Sequence, residues 1–151
     1  MVELNICIGS STMKMYKCLH CEKESRASPQ KTNKYCSVQC QKDYEYEAFI
    51  AEWKAGLNAG TKGKGDISGH VRRYLFEKFS SKCCSCGIDN WQGKPITMDI
   101  EHRDGNSENN AEENLELLCP NCHSQTPTYK SKNRGKGRHF RRERYSEGKS
   151  F

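Results

Sequence analysis

Eight cysteines fall into four short turns, and their spacing constrains the fold more than any other feature. The turns are Cys18-x2-Cys21, Cys36-x3-Cys40, Cys83-x2-Cys86 and Cys119-x2-Cys122. A tetrahedral Zn²⁺ takes four soft ligands from two such turns, so the first two pairs make one structural site and the last two make another. Only 34% of the 151 residues are hydrophobic, which leaves no single large core. Chains of this kind lean on metals or disulfides for stability. The first eleven residues lack a basic segment followed by a long apolar one, and no apolar run reaches membrane-spanning length. The sequence therefore reads as that of a cytoplasmic protein with no membrane partner, where paired cysteines mark metal sites rather than disulfides. Cys7 stands alone and reads as a reduced thiol. Cys84 is left out of the third turn, because a zinc knuckle usually has at least two residues between its ligands. His20 lies inside the first turn, but four thiolates already fill that sphere.

The apolar spacing divides the rest. Ser37 caps a helix whose Tyr46, Phe49, Ile50, Trp53 and Leu57 form one apolar stripe, with Gly56 and Gly60 ending it. Residues 60–66, rich in Gly and Lys, read as a flexible linker and the domain boundary. A second helix comes next, capped by Asp66 or Ser68, with Val71, Leu75 and Phe79 on its core face. Ile96 to His102 reads as a short strand after a turn-rich insertion, and Leu115 to Leu118 as another. Pro120 suits the first position of a short helix that carries His123 and is limited by Pro127. The expected parts are a leader (1–14), a finger plus helix (15–59), the linker (60–66), a further domain (67–129) and a basic arm (130–151).

Charge is concentrated in that arm. Residues 130–151 hold nine Lys and Arg against Glu143 and Glu147, a net of +7, so residues 1–129 sum to −1 in a chain of +6. Two loaded four-thiolate zinc sites lower the total to about +2. Affinity for nucleic acid must then come from local patches. The candidates are Lys130, Lys132, Arg134, Lys136, Arg138, Arg141, Arg142 and Arg144 of the arm, with Arg72 and Arg73 of the second helix. Phe140 and Tyr145 are interleaved among the arm's charges.

Asp99 to His123 brings together acids, two histidines, asparagines and a CxxC pair in 25 residues. The order is Glu101-His102 at a strand end, a loop, Asn114 before a second apolar segment, then a helix bearing His123. Here the chain resembles the HNH endonucleases, in their zinc-bearing phage and bacterial branch. The matching residues are His102, Asn114 and His123, with Cys83, Cys86, Cys119 and Cys122 as the zinc frame. The string Glu-Asn-Leu-Glu-Leu-Leu-Cys-Pro-Asn-Cys-His, 113–123, is highly specific. The resemblance covers residues 67–139 firmly and the amino-terminal finger more loosely.

The resemblance implies a small, metal-stabilised α+β fold: a ββα-metal core with a four-cysteine zinc site, preceded by a zinc finger and helix. It implies DNA as partner and phosphodiester hydrolysis through one divalent ion. Such hydrolysis needs an activated water and stabilisation of charge on phosphate. His102 is the implied general base, an imidazole being suited to proton transfer near neutral pH. Glu101 and His123 are the implied ligands of a catalytic Mg²⁺ or Mn²⁺, and Asn114 holds the loop that orients His102. The products would carry 5′-phosphate and 3′-hydroxyl, and one site per chain implies nicking. The setting is a bacterial or phage-infected cell. The chain departs from the family at Glu101, where Asp is usual; Asp99 and Asp104 are alternative ligands, and Asn106 is a turn residue. On an ideal strand Glu101 and His102 point to opposite faces, so the strand must end or twist there. A non-catalytic zinc-ribbon protein that binds nucleic acid is the competing expectation. Residue types and spacing specify neither target site nor oligomeric state.

Overall fold

Short antiparallel strand pairs alternate with three helices in the computed structural model, which describes residues 14–30, 32–63, 66–133, 143 and 146–148. The chain is a small α+β protein divided into two compact units, residues 1–47 and 48–151. Cys7, the leader up to residue 13 and the arm residues Arg134, Lys136, Arg138, Arg141, Arg142 and Arg144 lie outside the described residues.

In the first unit β1 (Met15–Lys17) pairs with β2 (Glu24–Arg26), Tyr16 facing Ser25. The turn between them is the Cys18–Cys21 knuckle, closed by Cys18 N–H to the Lys23 carbonyl (3.0 Å) and Glu22 N–H to the Cys18 carbonyl (3.0 Å). The second knuckle opens helix α1 (Val38–Lys54), where the Ser37 hydroxyl accepts the Cys40 N–H at 3.1 Å. That hydroxyl satisfies one of the four N–H groups a helix start leaves unpaired. Tyr16 donates its hydroxyl to the Tyr35 carbonyl (2.8 Å), and the Tyr35 ring lies 5.5 Å from that of Tyr44.

The second unit begins within α1. Ile50 and Trp53 are buried on its inner face. The helix stops at Lys54 in a Schellman turn: Leu57 N–H bonds the Glu52 carbonyl (2.9 Å), Gly56 N–H bonds that of Trp53 (3.0 Å), and Gly56 takes φ +73°. Leu57 is thereby carried past the helix and is 82% exposed, so it is no part of the apolar stripe.

Residues 60–66 are not a linker. Thr61–Lys62 (β3) pairs with Asp66–Ile67 (β4), and the division between units falls at Glu47/Ala48. Gly60 serves close packing, whereas a Cβ on Gly63 would meet nothing within 4 Å. Gly60 sits at φ +68°, and a Cβ on it would meet the Trp53 ring at 2.7 Å and the Val71 methyl at 3.2 Å. The expected break between 15–59 and 67–129 is corrected accordingly: the end of α1 and the hairpin both belong to the second unit.

Helix α2 (Gly69–Lys78) is capped by Ser68, whose hydroxyl accepts Val71 N–H at 3.1 Å. Val71 and Leu75 are fully buried, while Phe79 lies at the carboxy-terminal cap. Each such aliphatic side chain contributes about 1.5–3 kcal/mol of burial. A two-residue turn with positive φ at Gln92 and Gly93 joins β5 (Asn90–Trp91) to β6 (Lys94–Pro95). The central pair is β7 (Asp99–His102) and β8 (Leu115–Leu118), antiparallel, with Glu101 opposite Glu116 and His102 opposite Leu115. Leu115, Leu117 and Leu118 are buried, and α2 packs on β8. Helix α3 (Pro120–Gln125) starts immediately after, with Pro120 in its first turn, and packs against both β7 and β8. One sheet pair and one short helix thus bring Glu101 and His123 together, with His102 the next residue along β7.

Candidate active site and metal centres

Among the described residues, two groups have ligand atoms all within 4.8 Å of one another: Cys18, Cys21, Cys36 and Cys40, and Cys83, Cys86, Cys119 and Cys122. Sulfur separations are 3.6 Å (Cys21 to Cys36), 3.4 Å (Cys36 to Cys40), 3.7 Å (Cys21 to Cys40) and 3.8 Å (Cys86 to Cys119). Four sulfurs about 2.3 Å from one ion stand about 3.8 Å apart at the corners of a tetrahedron. Both groups can therefore hold a metal ion. Cys84 is exposed, outside the group, with its N–H on the Leu117 carbonyl at 2.8 Å. His20 is likewise outside the group, and its Nε2 lies 3.3 Å from Glu47.

The thiols themselves are arranged for a cation. Backbone N–H from Cys21 outweighs burial at Cys18 and draws its thiol down to about 6. Burial opposes ionisation of Cys83, yet N–H groups of Cys119, Cys86 and Ser85 bring it to about 6. The thiols of Cys40 and Cys21 push Cys36 up to about 12. The Ser85 hydroxyl favours a thiolate at Cys122, but Cys86 and Cys119 overcome it and raise that thiol to about 12. The first sulfur in each group ionises readily, while Cys36 in one group and Cys122 in the other resist. A bound cation removes that resistance, since a coordinating thiol is deprotonated outright.

His123 stands between two carboxylates. Its Nδ1 is 3.0 Å from Asp99 and its Nε2 is 3.0 Å from Glu101. Glu101 is 8% exposed, and its other oxygen accepts the Thr128 hydroxyl. The Tyr129 ring meets the His123 ring edge-on at 5.1 Å. The donor set suits a divalent ion: one carboxylate oxygen beside one imidazole nitrogen, with the other ring nitrogen held by a second carboxylate, an arrangement typical of metal-binding histidines. Asp99, two residues before Glu101, lies on His123 in just that outer position. Asp104 is engaged elsewhere. Its oxygens accept Asn114 Nδ2 (3.0 Å), Asn109 Nδ2 (2.7 Å) and the Asn106 N–H (2.8 Å), and these bonds hold its carboxyl below the usual range against the opposing effect of burial. As an alternative ligand, Asp104 is thereby corrected to a loop-holding residue.

Strand β7 ends at His102, whose Nε2 lies 2.8 Å from Asn110 Oδ1. Asn114, buried, ties the intervening loop. Its Oδ1 accepts Asp104 N–H (3.1 Å), its Nδ2 donates to the Asn109 carbonyl (2.7 Å), and its carbonyl accepts Arg103 N–H (2.9 Å). Asn133 closes the loop from outside, donating to the Gly105 carbonyl at 2.7 Å. Asn110, Thr128 and Asn133 have no sequence signal beyond being polar residues in loops.

The described basic candidates divide. Arg72 is exposed, whereas Arg73 holds Glu77 at 2.7 Å. Lys132 reaches the carbonyls of Ser124 (3.3 Å) and Thr126 (3.5 Å) at the end of α3, a capping position rather than an open phosphate contact. Lys130 lies 4.8 Å from the Tyr129 ring centre.

The chain is similar to the H-N-H endonuclease F-TflIV of Escherichia phage T5, with 56% identity over 55 residues. That stretch is 36% of this chain and 24% of the phage protein, so the likeness spans about a quarter of the relative's length. No family model matches the chain, and no solved structure matches it. Over that shared stretch the chain is similar to an HNH endonuclease.

Proposed function

We propose that the chain is a metal-dependent DNA endonuclease of HNH type, with β7, β8 and α3 as its ββα-metal core. The observation that carries this is the Asp99–His123–Glu101 array beside His102, on a chain that shares a segment with a phage endonuclease. Glu101 and His123 would hold one Mg²⁺ or Mn²⁺, which would supply Lewis-acid stabilisation of charge on the phosphate and the leaving oxygen. Thr128 orients the Glu101 carboxylate, and Asp99 fixes the His123 ring. His102 takes the proton of the attacking water, and Asn114 keeps the loop around it in shape. The two four-cysteine sites would each hold a structural Zn²⁺, the sulfur spacing matching its bond length. DNA is the partner, met through phosphates by Arg72 and the basic residues of 130–151, in the cytoplasm of a bacterial or phage-infected cell. Among the described residues, no helix is long and apolar enough to cross a membrane.

Nicking of supercoiled plasmid with Mg²⁺ or Mn²⁺ tests the proposal. Wild type should convert plasmid to the open circle, and His102→Ala should lose about 10²–10⁴ in rate. Equal activity in the two proteins would remove His102 as base. Salt-sensitive binding without cleavage in either metal would leave the non-catalytic zinc-ribbon protein.

A further inference from the structure

We infer that Asn110 fixes which ring nitrogen of His102 carries the proton, leaving Nδ1 as the proton-accepting atom. This deepens the endonuclease proposal, on which it rests for His102 as the base.

The carboxamide can face only one way. Its Nδ2 lies 3.3 Å from the Ala59 carbonyl, a group that only accepts. The amide nitrogen must therefore face Ala59, and Oδ1 faces His102. That oxygen also only accepts, and it stands 2.8 Å from His102 Nε2. Hence Nε2 is the protonated nitrogen, and in the neutral ring the lone pair is on Nδ1. The tautomer is set by donor and acceptor matching along Ala59, Asn110 and His102.

Asn110 can impose this because it has little freedom of its own. It is 4% exposed. Its backbone carbonyl accepts the Trp53 indole N–H at 2.8 Å. Trp53 is buried, and its ring lies where a side chain at position 60 would be, so only glycine there admits it. On the other side, Glu112 anchors the loop through Tyr74 and Lys78, each at 2.6 Å. The amide is thus held at both ends of a short loop. A base whose proton alternated between nitrogens would spend part of its time without an acceptor at Nδ1. Asn110 is a positioning residue in this scheme.

The test separates tautomer control from loop support. Asn110→Ala removes the acceptor, whereas Asn110→Asp keeps an oxygen for Nε2; both lose the bond to Ala59. Long-range ¹H–¹⁵N spectra of the imidazoles, recorded on the full chain at about pH 8 where a free imidazole is neutral, identify the protonated nitrogen. The His102 signals are those lost in His102→Ala. Wild type and Asn110→Asp should show Nε2 protonated, and Asn110→Ala should show a mixture. In plasmid nicking, Asn110→Ala should lose about tenfold or more in kcat relative to Asn110→Asp, with KM unchanged, a fraction of what a general base supplies. A wild-type His102 protonated on Nδ1 overturns the inference and needs no variant to fold. Equal spectra and equal kcat in the two variants also overturn it, because loop support alone moves both alike. A wild type that never nicks, with the Nε2 tautomer present, overturns the endonuclease proposal while upholding the Asn110–His102 contact.

Discussion

Glu101 is one methylene longer than the aspartate usual in the HNH endonucleases that the chain resembles, and its surroundings use that length. One oxygen reaches His123 Nε2 at 3.0 Å while the other accepts the Thr128 hydroxyl. Thr128→Val keeps the shape and removes the donor, leaving a nearly buried carboxylate oxygen less well oriented. Mn²⁺ affinity, measured by calorimetry, should fall about 10-fold or more, as for other losses of groups that orient a metal ligand; an unchanged affinity would show that Glu101 needs no such help. Glu101, His102, Asn114 and His123 stood out as candidates in the sequence because they lie in one dense string with a specific order. Thr128 and Asn110 did not. A hydroxyl or amide acquires its meaning from the group it meets, and those meetings depend on how the chain turns after α3 and before β8. The loop bonds of Asp104 were hidden for the same reason, since nothing in its type reveals that three loop groups surround it.

At the scale of elements, glycine is the least informative letter. A Gly-rich run reads alike as linker or as hairpin, and only the Trp53 ring beneath Gly60 decides between them. Gly60→Ala would place a Cβ at 2.7 Å from that ring and hold alanine at φ +68°. The expected cost is about 1–3 kcal/mol, seen as a lower Tm; a neutral substitution would mean that the Trp53 ring can shift. Helix starts were easier, because Ser37, Ser68 and Pro120 are local signals with local causes. The 3₁₀ turn at Glu112–Asn114 had no such signal, and it is pinned by long-range partners: Tyr74, Lys78 and, at 3.6 Å, Lys54 meet Glu112. Burial raises the Glu112 carboxyl, but bonds from Lys78 and Tyr74 bring it below its ordinary value. Its folded pKa is thus the lower one. The stability it contributes is fully present above the unfolded value of about 4.3 and is lost as pH falls through the folded value. Glu112→Gln should lower stability at neutral pH by about 1–3 kcal/mol and flatten the acid limb of a stability–pH curve. An acid limb as steep as that of wild type would assign the loss to other carboxylates.

Over the whole molecule, the proposal of two structural zinc ions makes stability depend on metal more than on apolar burial. The two four-cysteine groups were legible from cysteine spacing, because a tetrahedral site imposes short turns that leave a fixed mark in sequence, whereas the α+β class came from the resemblance. The division at Glu47/Ala48 was not legible, since a helix runs through it without any change of pattern. Each unit contains one complete set of four sulfurs. Purified protein should therefore carry two zinc ions per chain. Structural zinc contributes about 10–16 kcal/mol in small fingers, so a strong chelator should abolish the helical circular dichroism and the Tm transition together. Single substitutions should separate the units. Cys36→Ser removes a ligand from the first set only, and zinc analysis should find one ion, with a cooperative transition retained by residues 48–151. Cys119→Ser strikes a buried residue joining β8 to α3, so it should cost the second zinc, the packing of His123 against the strands, and nicking. If Cys36→Ser abolished both zinc ions, the two sites could not be independent, and the chain would have to fold as one metal-dependent unit.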